Sequence, residues 1–144
     1  MATVLIVDGH SAIFAIDQLA SAHAENPRKA RQMLVDWVNA YQDASDNAVV
    51  LVFDGRQAER TREGGTESEV MVLYTERGMS ADTVIERIAG AQAKRHRVFV
   101  ASNDRAVRES VMASGAEAFS IPHFEELLQR SIADFREKWS VGEG

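Results

Sequence analysis

Residues 3–7 read TVLIV and run directly into Asp8; residues 48–53 read AVVLVF and run directly into Asp54. Both runs are continuously apolar and rich in β-branched residues. They do not alternate apolar with polar, so neither face is meant for water. That pattern suits strands of a parallel sheet covered on both sides. Each is closed by Asp-Gly, a pair that stops a strand and turns the chain.

The interval between these strands is helical in character. A helix is expected from about Ser11 to His23. Asn26-Pro27 then supplies a cap and a first-turn proline for a second helix to about Asp43. Met33, Leu34, Trp37, Val38 and Tyr41 fall on one face of it at helical spacing and read as core.

The alternation continues downstream. Gly55 to Ser68 is polar, contains Gly64-Gly65 and reads as a loop. Glu69 to Tyr74 (EVMVLY) is a third strand. Ser80 caps a helix reaching about Lys94, and Arg97 to Ala101 is the fourth strand. A helix from Asn103 to Ala113 leads to a short strand at Ala116 to Ser120. Pro122 opens the last helix, with Phe124, Leu127, Leu128, Ile132 and Phe135 inward, and residues 140–144 are expected to fray. The fold class is therefore α/β, a mostly parallel sheet of about five strands with helices on both faces and right-handed crossovers. One domain covers residues 1–139, with neither repeat nor linker.

Composition narrows the chemistry. A chain of 144 residues, 45% of them hydrophobic, buries roughly two-thirds of its unfolded surface without staples. There is no cysteine, which excludes disulfides and thiolate metal sites and leaves oxygen or imidazole as ligands. The first residues lack a basic leader, and no apolar run approaches the roughly 20 residues of a membrane span; the expected location is the cytoplasm. The net charge of −6 argues against tight, unspecific coating of nucleic acid by bulk charge.

Ligands of open parallel sheets bind outside the carboxyl ends of the strands. Four strand exits carry an aspartate there. Asp8 ends the first strand and Asp54 the second. Asp82 lies in the first turn of the helix after the third, and Asp104 opens the helix after the fourth. Each alone fits an ordinary turn or first-turn charge. Jointly they point to one edge. Two carboxylates about 5 Å apart repel by about 3 kcal/mol at an effective dielectric near 20. A hard cation, Mg²⁺ or Mn²⁺, compensates such a cluster and activates water against a phosphodiester.

The segments LIVDGHSAIF, VVLVFDG, YTERGMSADTVIER and VFVASNDRAVR resemble successive motifs of the YacP-like NYN-domain ribonucleases, part of the PIN-like nuclease superfamily. The resemblance runs from about Val4 to Leu128, and its most specific piece is Thr75 to Asp82 followed by Ile85-Glu86-Arg87. It implies a Rossmann-like three-layer sandwich and divalent-metal-dependent cleavage of single-stranded RNA. One bacterial branch resembles a nuclease acting on messenger RNA in the ribosome. Carried over by motif, Asp8, Asp82 and Asp104 are the catalytic, metal-site carboxylates, with Asp54 a fourth or supporting member. One departure stands out. The family's first motif reads Asp-Gly-Tyr-Asn; this chain has Asp8-Gly9-His10-Ser11. Serine donates and accepts hydrogen bonds but reaches less far than asparagine. Either Ser11 positions its partner less well, or the enzyme is weakened, or the site has shifted.

Substrate contacts are expected from Ser11, from His10 on a base or phosphate, from Thr75, Arg77 and Ser80 at the entry to Asp82, and from Arg105 and Arg108 on phosphate. Ser80 is first a helix cap, and His10 also reads as an ordinary loop histidine. Arg56, Arg60 and Arg62 in the long loop are balanced by Glu59, Glu63 and Glu67. Lys94-Arg95-His96-Arg97 precedes the fourth strand and so belongs to the opposite edge, where it complements a helix end. A docking role toward RNA or a ribosome is its other reading.

Two other classes compete. A phosphoacceptor receiver domain needs a second acid beside the first, where Gly9 stands, and a lysine where the chain has Asn103-Asp104-Arg105. An RNA-binding or scaffold domain would keep the fold without the chemistry.

Overall fold

The computed structural model describes residues 2–55, 70–76 and 78–143. Five strands form one sheet: β1 (Thr3–Asp8), β2 (Ala48–Phe53), β3 (Met71–Tyr74), β4 (Arg97–Ala101) and β5 (Glu117–Phe119). The order is β3-β2-β1-β4-β5 and every pairing is parallel. A receiver-type sheet has the order 2-1-3-4-5, so that reading fails on topology.

β1 sits at the centre, and its residues alternate between two cores. Leu5 and Val7 join one with Leu51 and Phe53 of β2. That face is covered by α1 (Gly9–Ala15), α2 (Asp17–Glu25), α3 (Pro27–Ser45) and α6 (Ile121–Glu143). Val4 and Ile6 join the other with Val98 and Val100, under α4 (Ala81–Gln92) and α5 (Arg105–Ala113). The chain leaving β1 thus goes to one face and the chain leaving β4 to the other. A crevice opens at the carboxyl ends of these neighbouring strands, where ligands bind in open α/β sheets.

Several boundaries differ from the sequence expectation. The first helix is two: Ile16 adopts an extended conformation (φ −93°, ψ 117°) and caps both α1 and α2. Its side chain is buried in the core. Its N–H donates to the Ala12 carbonyl and its own carbonyl accepts from Ala20, so the break leaves neither group unsatisfied. The expected stripe on α3 is confirmed: Leu34, Val38 and Tyr41 are buried, with Met33 and Trp37 packed beside them. α3 runs on to Ser45, where Asp46 (φ 60°) ends it in the left-handed conformation that Asp tolerates. α5 begins at Arg105, because Asn103 and Asp104 precede it and Asp104 is its cap. α6 takes in residues up to Glu143, including part of the tail expected to fray. Phe124 and Leu128 face the core and Leu127 packs against it; the side chains of Ile132 and Phe135, like the loop over residues 56–69, lie outside the described residues.

Two glycines bring the strand exits together. A Cβ on Gly9 would fall 2.5 Å from the Phe53 ring and 2.9 Å from the Val52 carbonyl oxygen. A Cβ on Gly55 would fall 1.7 Å from the Thr75 carbonyl oxygen. Thr75 fixes this approach: its N–H donates to the Phe53 carbonyl (3.0 Å) and its Oγ1 accepts from the Gly55 N–H (2.9 Å). The clash at Gly55 is with backbone, which no rotamer change relieves. Gly55→Ala is expected to destabilise the protein by about 1–3 kcal/mol, read as a lower urea midpoint; an unchanged midpoint would show that the exits of β2 and β3 separate at little cost.

Candidate active site

Asp8 is the last residue of β1 and the N-cap of α1. Its carboxylate is only 4% exposed, so its lone pairs must be satisfied from within. Three donors do this. Oδ1 accepts from the Ser11 N–H (3.3 Å), and Oδ2 accepts from the hydroxyls of Ser11 and Ser102 (2.8 Å each). Each hydroxyl has one proton, and both are spent on Asp8. The hydroxyls then act as acceptors: Ser11 Oγ from the Asn103 N–H (3.2 Å), Ser102 Oγ from the Asp104 N–H (3.1 Å). Ser11 thus reaches the Asp8 carboxylate through both its hydroxyl and its N–H.

This network binds the exit of β1 to the β4–α5 turn. The turn is fixed further along. Asp104 Oδ1 accepts from the N–H groups of Ala106 (2.9 Å) and Val107 (3.3 Å), capping α5. Asn103 Oδ1 accepts from the Ile121 N–H at the start of α6 (2.8 Å). Arg108 donates to the Ser102 carbonyl (2.7 Å), which holds its guanidinium at the site's edge. Arg105 is exposed and pairs with Glu109 (2.9 Å).

Asp82 comes from the first turn of α4, the helix that packs beside α5 on the same face of the sheet. Ser80 caps that helix by accepting from the Thr83 N–H (3.2 Å), so its hydroxyl serves the fold. The Asp82 carboxyl is held above its ordinary value of 3.8, first by partial burial, then by the negative charges of Asp8, Asp104 and Glu86; His10 opposes the shift. Acids from β1, α4 and the cap of α5 thus face one another closely enough to repel.

Other expected site residues lie differently. Asp54 is half-buried at the exit of β2 and is not among the charges acting on Asp82. Thr75 is buried and its Oγ1 is engaged with Gly55, so its first role is to join two strands. Arg77 lies outside the described residues. His10 is exposed on α1. Arg97, from the basic run at the opposite edge, pairs with Glu117 (3.2 Å) and lies over the Phe99 ring (4.9 Å to its centroid). Sequence reasoning quoted Ser102 and Glu86 within the family motifs but gave neither a role in the site. Glu86 lies one helical turn beyond Asp82, a spacing that signals a shared face. Nothing in the local sequence singles out Ser102.

Among the described residues, no three acidic or imidazole groups lie close enough together to enclose an ion. A closed three-carboxylate cage therefore does not fit. An open site does: Mg²⁺ is usually held by one or two carboxylates, with water and substrate phosphate completing its shell. The donor chemistry, oxygen without thiolate, suits that ion.

The YacP-like NYN domain matches residues 5–143. The chain belongs to the YacP-like NYN domain family. Its relative YacP of Bacillus subtilis (strain 168) is 30% identical over 114 residues, covering 78% of this chain and 67% of YacP. The crystal structure of Rae1 (YacP) from Bacillus subtilis superimposes with a TM-score of 0.79 at 27% identity, covering 97% of this chain and 83% of the other. A tryptophan-to-leucine mutant of Rae1 gives 0.73 at 26% identity, over 94% and 77%. In this YacP-like NYN domain Ser11 and Ser102 together hold the buried Asp8.

Two predictions follow from the charges and their donors. Ser11→Ala and Ser102→Ala should each destabilise the protein by about 1–3 kcal/mol, since each removes a hydrogen bond to a buried carboxylate. The double variant should depart from the sum, because both act on one oxygen; strict additivity in urea melts would refute a shared network. For Asp82 the sign follows from its raised carboxyl. The metal-free native state holds this proton more firmly than the unfolded chain does. The associated stability is complete below 3.8 and is lost as pH rises through the raised native value. Asp82→Asn should remove that loss, melting higher than wild type near neutrality and showing a flatter pH dependence from 3.8 upward. A variant melting lower at neutrality would mean that Asp82 acts chiefly as a first-turn charge on α4.

Proposed function

We propose that this chain is a divalent-metal-dependent endoribonuclease that cleaves single-stranded RNA. One observation carries the reading: Asp8 at the end of β1, Asp82 in the first turn of α4 and Asp104 at the cap of α5 all stand at the carboxyl edge of the sheet, and burial with the charges of Asp8, Asp104 and Glu86 raises the Asp82 carboxyl. A fold that keeps acids in mutual repulsion at its ligand-binding edge has a use for a cation there. Membership in the YacP-like NYN family supports a nuclease-like, RNA-related activity.

Of the three carboxylates Asp8, Asp82 and Asp104, with Asp54 in a supporting place, one or two would hold Mg²⁺ or Mn²⁺ directly, and water and substrate phosphate would complete its shell. Such an ion supplies charge for phosphate oxygens and acidifies water for in-line displacement. The chain's own residues prepare this. Ser11 and Ser102 fix the Asp8 carboxylate by donating to Oδ2, so it needs no reorganisation when substrate arrives. Asp104 is aligned by its own cap on α5. Arg108, anchored on the Ser102 carbonyl, and the exposed Arg105 offer charge to phosphates next to the cut. With a net charge of −6, bulk attraction adds little to RNA affinity. Messenger RNA presented on a ribosome, the setting that the family resemblance implies, would supply the missing encounter.

The lack of a preformed three-ligand group among the described residues favours a second reading, an RNA-binding domain without catalysis. One set of assays separates the two. Purified protein should cut an unstructured, end-labelled oligoribonucleotide with Mn²⁺ or Mg²⁺ and not with EDTA. Asp82→Asn should lower the rate at least about 100-fold, as expected when charge stabilisation of the reacting phosphate is lost. Metal should raise the melting temperature of the wild type by mass action, and that of the variant less. A variant that still cuts and still responds to metal would sink the assignment of Asp82; a wild type that binds RNA without cutting it would leave the second reading.

A further inference from the structure

One aromatic ring beside the carboxylates is unusually placed. Among the described residues, the large hydrophobic side chains left open to solvent are Phe14, Met71 and Met112, and Phe14, 49% exposed, is the one aromatic. It lies on α1, the helix that Asp8 caps. His10 stands one turn earlier on the same helix face, its ring centroid 4.7 Å from that of Phe14 at 47°. On the other side the His23 ring from α2 meets Phe14 edge-on, at 4.7 Å and 66°. The Nδ1 atom of His23 is buried without a hydrogen-bond partner, so this imidazole packs as a buttress. Phe14 is thus held by a ring on either side and still presents half its surface to water.

The location joins this surface to the crevice. His10 follows Asp8 by two residues, and its charge acts on Asp82. A lone exposed apolar side chain needs no explanation. A braced aromatic pair continuous with a carboxylate edge differs, because a polynucleotide whose phosphate lies at that edge carries flat bases on either side. Every base has a π-face, and stacking on aromatic side chains tolerates any sequence.

We propose that Phe14, with His10 beside it, is a stacking platform for a nucleobase flanking the scissile phosphate at the edge where Asp8 and Asp82 stand. The proposal rests on the RNA-directed reading above and adds to it the residue that positions the strand. Phe14 touches the base rather than the reacting atoms and is a positioning residue. Stacking supplies affinity that the net negative charge withholds, and it orients the strand without base-edge recognition.

The test is binding of a short fluorescent oligouridylate, followed by anisotropy in Mg²⁺ with the oligomer's integrity checked after each titration. Phe14→Ala should bind about 5- to 100-fold more weakly than wild type. Phe14→Trp should restore affinity. Phe14→Leu keeps apolar bulk without a π-face and should bind as weakly as the alanine variant. On an abasic oligomer of the same length, wild type and Phe14→Ala should bind alike. Equal affinity of wild type and Phe14→Ala for the oligouridylate would overturn the proposal. So would recovery by leucine, a loss of the same size on the abasic oligomer, or a wild type that binds no oligouridylate. A wild type that binds through Phe14 but does not cut the oligomer with Mn²⁺ would end the nuclease reading and leave the platform standing.

Discussion

The rest of the site depends on how a buried carboxylate is given donors and held still. Asp8 sits at the end of the central strand, almost without solvent. Burying an ion is costly unless hydrogen bonds replace its water. Two serine hydroxyls and one backbone N–H replace it here. One serine comes from α1 and the other from the end of β4, so satisfying the charge also ties together the two strand exits that diverge to opposite faces of the sheet. The crevice and the orientation of its first acid share one cause.

That arrangement explains what was legible in the sequence. Strands β1, β2 and β4 announced themselves as short apolar runs, because a parallel strand under helices on both faces has no polar side to show. The acids at their exits were visible for the same reason: polarity returns where the sheet ends. The break at Ile16 was not visible. An apolar residue at helical spacing reads as helix, and only packing of its side chain in the core makes an extended cap there worthwhile. Ser102 was hidden because serine after a strand is ordinary; its importance comes from a partner 94 residues away. Glu86 was visible as part of the motif Ile85-Glu86-Arg87, and its place four residues past Asp82 signals a shared helix face, but its charge on Asp82 shows only in the fold.

The departure at Ser11 shows that side-chain length alone does not decide which partner a residue reaches. A shorter residue can serve if the backbone brings it closer. α1 starts directly at Gly9, where a Cβ would strike Phe53. The glycine lets the helix begin against the β2 exit, and Ser11 then lies within 2.8 Å of Asp8. Ser102 adds a second hydroxyl to the same oxygen. Two serines from distant parts of the chain thus share one carboxylate oxygen.

Hydrogen bonding and repulsion also divide the acids into two kinds. Asp8 and Asp104 accept bonds from the fold, and their charge is compensated whether or not a cation is present. Asp82, at the start of α4, feels their charges and has its carboxyl raised. A cage whose acids were all unsatisfied would repel strongly until filled. One built wholly from satisfied acids would attract a cation weakly. Placing one less compensated carboxylate beside two anchored ones keeps the empty site tolerable. On the proposed reading, the remaining attraction would act on an ion arriving with its own water and a substrate phosphate, the manner in which Mg²⁺ is usually bound.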